Sequence, residues 1–193
     1  GELLYEIYAD QNRTPVQLSN LPEHVKQSTI AIEDQHFYRH FGLDFMGILR
    51  AFFFNISSTI NHEPSTISLQ GGSTITQQLV KITLLTPERS IERKIKEAVL
   101  SIATEVIYSK DQILEMYLNH APYGGTAYGI EQAARLYFGK SAKDLGLAEA
   151  AFLAGLPQAP TRYSPYGVHP ELANDRKKEV LRRMREDRYI NHD

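Results

Sequence analysis

Between Arg89 and Ser109 the apolar residues Ile91, Ile95, Ala98, Val99, Ile102 and Val106 recur mostly at steps of three and four, forming one stripe of helical period. A strand cannot present such a stripe, because its side chains alternate between faces at every residue. Further helices are expected at 110–119, 126–138, 145–154 and 170–188, separated by Pro122, Gly124-Gly125, Gly139, Gly155 and Pro157. Upstream, Pro22 opens a helix running to about His40 and stopped by Gly42. Asp44 can cap a very apolar helix from Phe45 to about Ile56, and the Ser-, Thr-, Asn- and Pro-containing stretch 57–70 reads as a loop. Thr74 and Gln77 form a capping-box pattern behind Gly71-Gly72, and Thr86-Pro87 opens the striped helix. Only residues 3–9 read as a strand, with a second extended piece at 16–18. The class is mainly α, with a short N-terminal β segment.

Composition narrows the function without choosing it. The 193 residues suit one domain, with 42% hydrophobic and 23% charged residues. A net charge of −2 exerts no global attraction on nucleic acid, so an anion site has to be a local cluster. The absence of cysteine removes disulfides and thiolate metal sites. No stretch reaches the roughly 20 apolar residues that span a bilayer. The chain opens on Gly1 without a basic and apolar leader, and is expected to be an excerpt of a longer, anchored protein.

Three segments carry candidate chemistry. In Glu33-Asp34-x-x-Phe37-x-x-His40-x-Gly42, a continuous helix would set Glu33, Phe37 and His40 on one face at i, i+4 and i+7. Beside Ile30, Ala31 and Ile32, a poorly solvated Glu33 is a candidate proton acceptor, although an exposed acidic turn next to a helix C-terminus explains the same residues. In Gly71-Gly72-Ser73-Thr74-Ile75-Thr76-Gln77-Gln78-Leu79-Val80-Lys81, Thr74, Gln78 and Lys81 share a face, and the helix N-terminus offers free N–H groups to an anion. The Walker spacing is absent, and a well-capped helix with a polar face is the competing account. In the third segment, Arg93 and Glu97 sit nearly opposite the apolar stripe, which favours a solvated face laced with ion pairs. Five cations (Lys81, Arg89, Arg93, Lys94 and Lys96) could instead hold a diphosphate.

In order along the chain, these segments resemble the peptidoglycan glycosyltransferase family, found as monofunctional enzymes and in bifunctional class A penicillin-binding proteins. The resemblance extends through Lys110…Ile113-Leu114-Glu115-x-Tyr117-Leu118-Asn119 and Glu149-x-Ala151-x-Leu153-Ala154-Gly155-Leu156-Pro157…Pro160-x-x-Tyr163-x-Pro165. It covers nearly the whole chain. It departs from the usual family pattern in a longer stretch at 55–70 and in His120-Ala121-Pro122-Tyr123-Gly124-Gly125.

What the resemblance implies is a two-lobed, lysozyme-like helical domain over 21–193, preceded by an extended segment over 1–20. It implies polymerisation of lipid II into β-1,4-linked glycan, with inversion and release of undecaprenyl pyrophosphate. Glu33 would be the general base and Glu97 the second essential carboxylate. Asp34, Phe37, His40, Ser73, Thr74, Gln77, Gln78, Lys81, Arg89, Arg93, Lys94, Lys96 and Asn119 would contact substrate. The implied partners are lipid II, the growing lipid-linked glycan, the bacterial membrane surface and moenomycin-type inhibitors, with no nucleic acid. No protein metal site is expected, while the donor diphosphate leaves room for a divalent cation, Mg or Mn. The implied location is the outer face of the cytoplasmic membrane, held by a transmembrane helix outside this chain. The competing enzyme class is a lysozyme-like muramidase or lytic transglycosylase that cuts glycan. The Phe45–Ile56 segment reads either as a core helix or as one dipping into the bilayer, and the cation-rich 176–188 stretch as a solvated terminal helix.

Overall fold

The computed structural model describes residues 14–44, 73–86 and 90–191. The expected strand at 3–9, the apolar helix at 45–56, the loop at 57–70 and Arg89 lie outside the described residues. Seven α-helices account for most of what is described: α1 (Glu23–Glu33), α2 (Ile75–Thr83), α3 (Ile91–Ile107), α4 (Lys110–His120), α5 (Ile130–Phe138), α6 (Leu147–Ala154) and α7 (Glu171–Glu186). The mainly helical class holds. Among the described residues, no helix is long and apolar enough to cross a membrane.

The capping chemistry read from sequence forms α2. Thr74 Oγ1 accepts from Gln77 N–H while the Gln77 side chain accepts from Thr74 N–H. Ser109 and Gln112 repeat the device at α4. The striped helix starts later than expected, at Ile91 with Ser90 as its cap, rather than at Thr86-Pro87. At 16–18 the expected extended piece gives way at Leu18, where a 3₁₀ turn runs to Asn20.

The first helix is shorter than the sequence suggests. It stops at Glu33, and a 3₁₀ turn over Phe37–Arg39 replaces the last turns expected up to His40. The cause is long-range: the Asp34 carboxylate accepts from Ile75 N–H at 3.0 Å and meets His40 Nε2 at 2.9 Å. These bonds hold Asp34 outside helical geometry, at φ −161° and ψ 76°. Glu33, Phe37 and His40 therefore do not share a helical face.

The third helix is inverted relative to expectation. Its stripe residues Ile91, Ile95, Val99, Ile102 and Val106 are exposed, while Glu97 and Ser101 on the opposite side are buried. The solvated face expected for Glu97 is therefore an interior one. Gly42 explains the contact, since at φ +78° a Cβ there would lie 3.0 Å from the Ser101 carbonyl carbon and oxygen. The loop after α1 thus presses its backbone directly on the polar side of α3.

Where a helix was expected from 126, a two-stranded hairpin (β1, Pro122–Gly124; β2, Ala127–Tyr128) precedes α5. The main core gathers residues from α1, α2, α4, α5 and α6, among them Phe37, Ile75, Ile113, Leu114, Tyr117 and Leu118. A second, smaller cluster joins α1, α6 and α7 through Ala31, Ile32, Ala151, Ala154, Val180 and Met184. The terminal helix is thus docked along one face, contrary to the solvated helix expected there. Its docking closes the structure behind the end of α1, where Glu33 stands.

Candidate functional site

Glu33 is the last residue of α1, where the chain turns away from the helix. Its Oε2 accepts from Gln78 Nε2 at 2.7 Å, and Gln78 Oε1 in turn faces Tyr117 Oη at 3.2 Å. Tyr117 is wholly buried, and burial raises its pKa well above the usual phenol range, so it remains a donor. That donor fixes which end of the Gln78 amide points at the carboxylate. Glu33 Oε1 is buried with no hydrogen-bond partner. Desolvation raises the Glu33 pKa, opposed by the Gln78 bond and by the positive charges of Arg176 and Arg183, while Asp34 adds to the rise. A carboxylate with one oxygen oriented and the other free suits proton abstraction.

Asp34 and His40 form the clasp already described, with side chains only 3% and 7% exposed. Thr74 extends it by donating to Gly42 O at 2.7 Å. Three of the expected site residues (Asp34, His40 and Thr74) thus have polar groups committed to joining the end of α1 to the start of α2, while Gln77 closes the capping box of α2. Phe37 is fully buried, with Lys110 Nζ 4.6 Å from its ring centroid. Lys110 also binds Glu105 at 2.7 Å, and Glu105 accepts from Thr76 Oγ1 at 2.6 Å, so these residues brace α2, α3 and α4 together.

The basic group is only partly assembled around Glu97. Lys94 forms an ion pair with Glu97, whose side chain is 3% exposed, and reaches Ser73 Oγ at 3.4 Å. Arg93 donates to Thr86 O at 3.4 Å and leaves Nε buried without a partner. Lys81 is exposed near the end of α2. Lys96 turns away and pairs with Glu92 on the surface. Among the described residues, no three His, Cys, Asp or Glu side chains converge to hold a metal ion.

Asn119 lies apart from this group in its bonding. Its Oδ1 accepts from Val16 N–H, and its Nδ2 donates to the Val16 and Glu115 carbonyls, each at 2.9 Å. Glu115 accepts from Leu18 N–H at 2.7 Å, so α4 ties down residues 16–18. Sequence reasoning missed Arg176 and Arg183 of α7, whose charges act on Glu33. A signal was present, because Ala173, Arg176, Val180 and Met184 fall on one helical face, and all four are buried.

Residues 1–185 match the family described as "Transglycosylase". Penicillin-binding protein 1A of Aquifex aeolicus is 48% identical over 187 residues, covering 97% of this chain and 25% of that protein. Penicillin-binding protein 1A of Clostridium tetani is 46% identical over 193 residues, covering 98% and 24%. The chain therefore spans about a quarter of the length of these relatives. A 2.6 Å crystal structure of penicillin-binding protein 1A from Haemophilus influenzae shares the fold, with a TM-score of 0.52 and 24% identity over 94% of this chain and 16% of that one. These matches favour a glycan-polymerising domain over a glycan-cleaving one. By sequence along residues 1–185, the chain is a member of the transglycosylase family, the peptidoglycan glycosyltransferase domain of class A penicillin-binding proteins.

Proposed function

We propose that this domain polymerises lipid II, with Glu33 as the base that takes the proton from the acceptor sugar's 4-hydroxyl. The resulting oxygen attacks the donor's anomeric carbon, a C–O bond to the sugar forms, and the bond to the lipid diphosphate breaks. Attack from the face opposite the leaving group inverts the anomeric centre. The carrying observation is the state of Glu33: Oε2 is held by Gln78, and Oε1 is buried and unpaired.

The departing diphosphate gathers negative charge. Lys81, Arg89, Arg93 and Lys94 are the cations we assign to it, stabilising the transition state more than the ground state. Glu97 would hold Lys94 in position. A divalent cation, Mg or Mn, would fit this site only with one protein carboxylate, Glu97, and substrate phosphates as its other ligands, as Mg commonly binds. Such an ion would neutralise leaving-group charge. Moenomycin-type inhibitors would occupy the same site in place of the lipid-linked glycan.

The lipid substrate requires work at a membrane surface, and we assign that surface to the outer leaflet of the bacterial cytoplasmic membrane. The exposed apolar face of α3 supports this, since an apolar face of that extent on a monomer marks an interaction surface.

Purified protein incubated with lipid II should build long glycan strands, and Glu33→Gln should lower the rate about 100-fold or more while the fold persists. Retention of more than a few per cent of activity removes Glu33 from the base role.

A further inference from the structure

The terminal helix carries two arginines whose placement its surface role does not explain. Arg176 is 7% exposed, and its Nε is buried without a partner. Among the described residues it makes no ion pair, although a buried guanidinium is costly unless an opposite charge compensates it. Two neighbours hold it there. A methyl built on Gly155 would lie 2.8 Å from Arg176 Cγ, so the glycine leaves room for the side chain. The Tyr163 ring centroid lies 5.6 Å from the guanidinium carbon. Arg183, two helical turns further along the same face, donates to Ile32 O at 3.2 Å and pairs with Glu179.

The complementary charge is Glu33, whose Oε1 is likewise buried without a hydrogen-bond partner. We infer that Arg176 is a positioning residue for the general base, a cation held off at a distance behind Glu33 that offsets part of the cost of burying the carboxylate without occupying its reactive oxygen. A direct ion pair would satisfy Oε1 and blunt its basicity, whereas a cation at longer range favours the charged form and leaves that oxygen to the substrate hydroxyl. The inference rests on the base role proposed for Glu33.

Besides Arg183, the other groups facing Glu33 do not supply this charge. Asp34 follows it on its own strand of chain and is committed to His40 and Ile75. Gln78 of α2 is neutral, and Tyr117 of α4 and Tyr123 of β1 are buried phenols held in their protonated form. Of the two α7 cations whose charges act on Glu33, Arg183 is ion-paired with Glu179, which also pairs with Arg182. Arg176 has no such partner among the described residues, and Glu33 and Glu179 act on it only through their charges. Its own pKa is lowered by burial and raised by Glu33, the reciprocal of its effect on the carboxylate.

The test is the pH dependence of kcat/KM for lipid II polymerisation by the full protein, measured for wild type, R176M, R176K and E33Q. R176M keeps the stem that packs against Gly155 but loses the charge. Its activity relative to wild type should be about tenfold or more lower at pH 6 than at pH 9, because the acidic limb moves to higher pH. R176K should restore most of the acidic limb. A relative activity of R176M that is equal at both pH values, in a protein that melts normally, overturns the inference. If R176M does not fold, G155A displaces the same guanidinium at an αR backbone position that alanine accepts, and the same pH criterion applies. E33Q separates the two ideas: an active E33Q removes the base reading itself, whereas an inactive E33Q beside a pH-independent R176M removes only the role of Arg176.

Discussion

Helices α3 and α4 are consecutive in the chain, and they use their apolar residues in opposite ways. In α4, Ile113, Leu114, Tyr117 and Leu118 are all fully buried, an ordinary amphipathic helix with its apolar face in the core. In α3, only Glu97 and Ser101 of 17 residues are buried, while Ile91 is 83% and Val106 71% exposed. The difference separates two jobs. The α4 helix holds the fold together and presents Tyr117 to Gln78 from within. The α3 helix turns a polar edge inward against the Gly42 loop and an apolar edge outward.

The strongest way to break this contrast is truncation. Leu114→Ala should cost about 2–5 kcal/mol of stability, because it removes a fully buried side chain from the core. Chemical denaturation checks this, and a loss under 1 kcal/mol would mean that α4 is not the anchor described. A smaller effect sharpens the interior polar side. Burial raises the Glu33 pKa above its unfolded value, so the neutral form is favoured and stability falls as pH rises through the folded pKa. Glu33→Gln should therefore raise Tm at pH 8, on the order of 2 °C for roughly 1 kcal/mol in a chain this long. The gain should vanish near pH 3, where the carboxyl is protonated in both states. An equal gain at both pH values would show that charge is not its origin. The smallest stability change belongs to α3: Ile95→Ser and Val99→Ser should each shift stability by no more than about 0.5 kcal/mol. Both should weaken sedimentation with phospholipid vesicles. A large fall in Tm with unchanged vesicle binding would place this face against protein instead.

The same contrast marks what the sequence could reveal. Helix periodicity located α3, but it could not say which side faces inward, because burying the polar side depends on Gly42 and Thr74 arriving from elsewhere. The capping box at Thr74 was legible because its partners are three residues apart. The early end of α1 was not, because Asp34 is captured by an amide 41 positions later. Glu33 stood out by its motif, yet its actual partner Gln78 had been read as a residue for phosphate or sugar. The hairpin at 122–128 had a local signal in Gly124-Gly125, both at positive φ, that helical expectation outweighed. Arg176 was hidden by its own charge, which made a docked helix look like a solvated one.

The clasp of Asp34, His40, Gly42 and Thr74 has a consequence for how this domain can vary. It fastens the chain on both sides of residues 45–72 at points that do not depend on what lies between. Lengthening an intervening segment costs little once its ends are pinned, about 0.6 kcal/mol for each doubling of a flexible loop. Insertions between these two points can therefore be accommodated while Glu33 stays in register with Gln78.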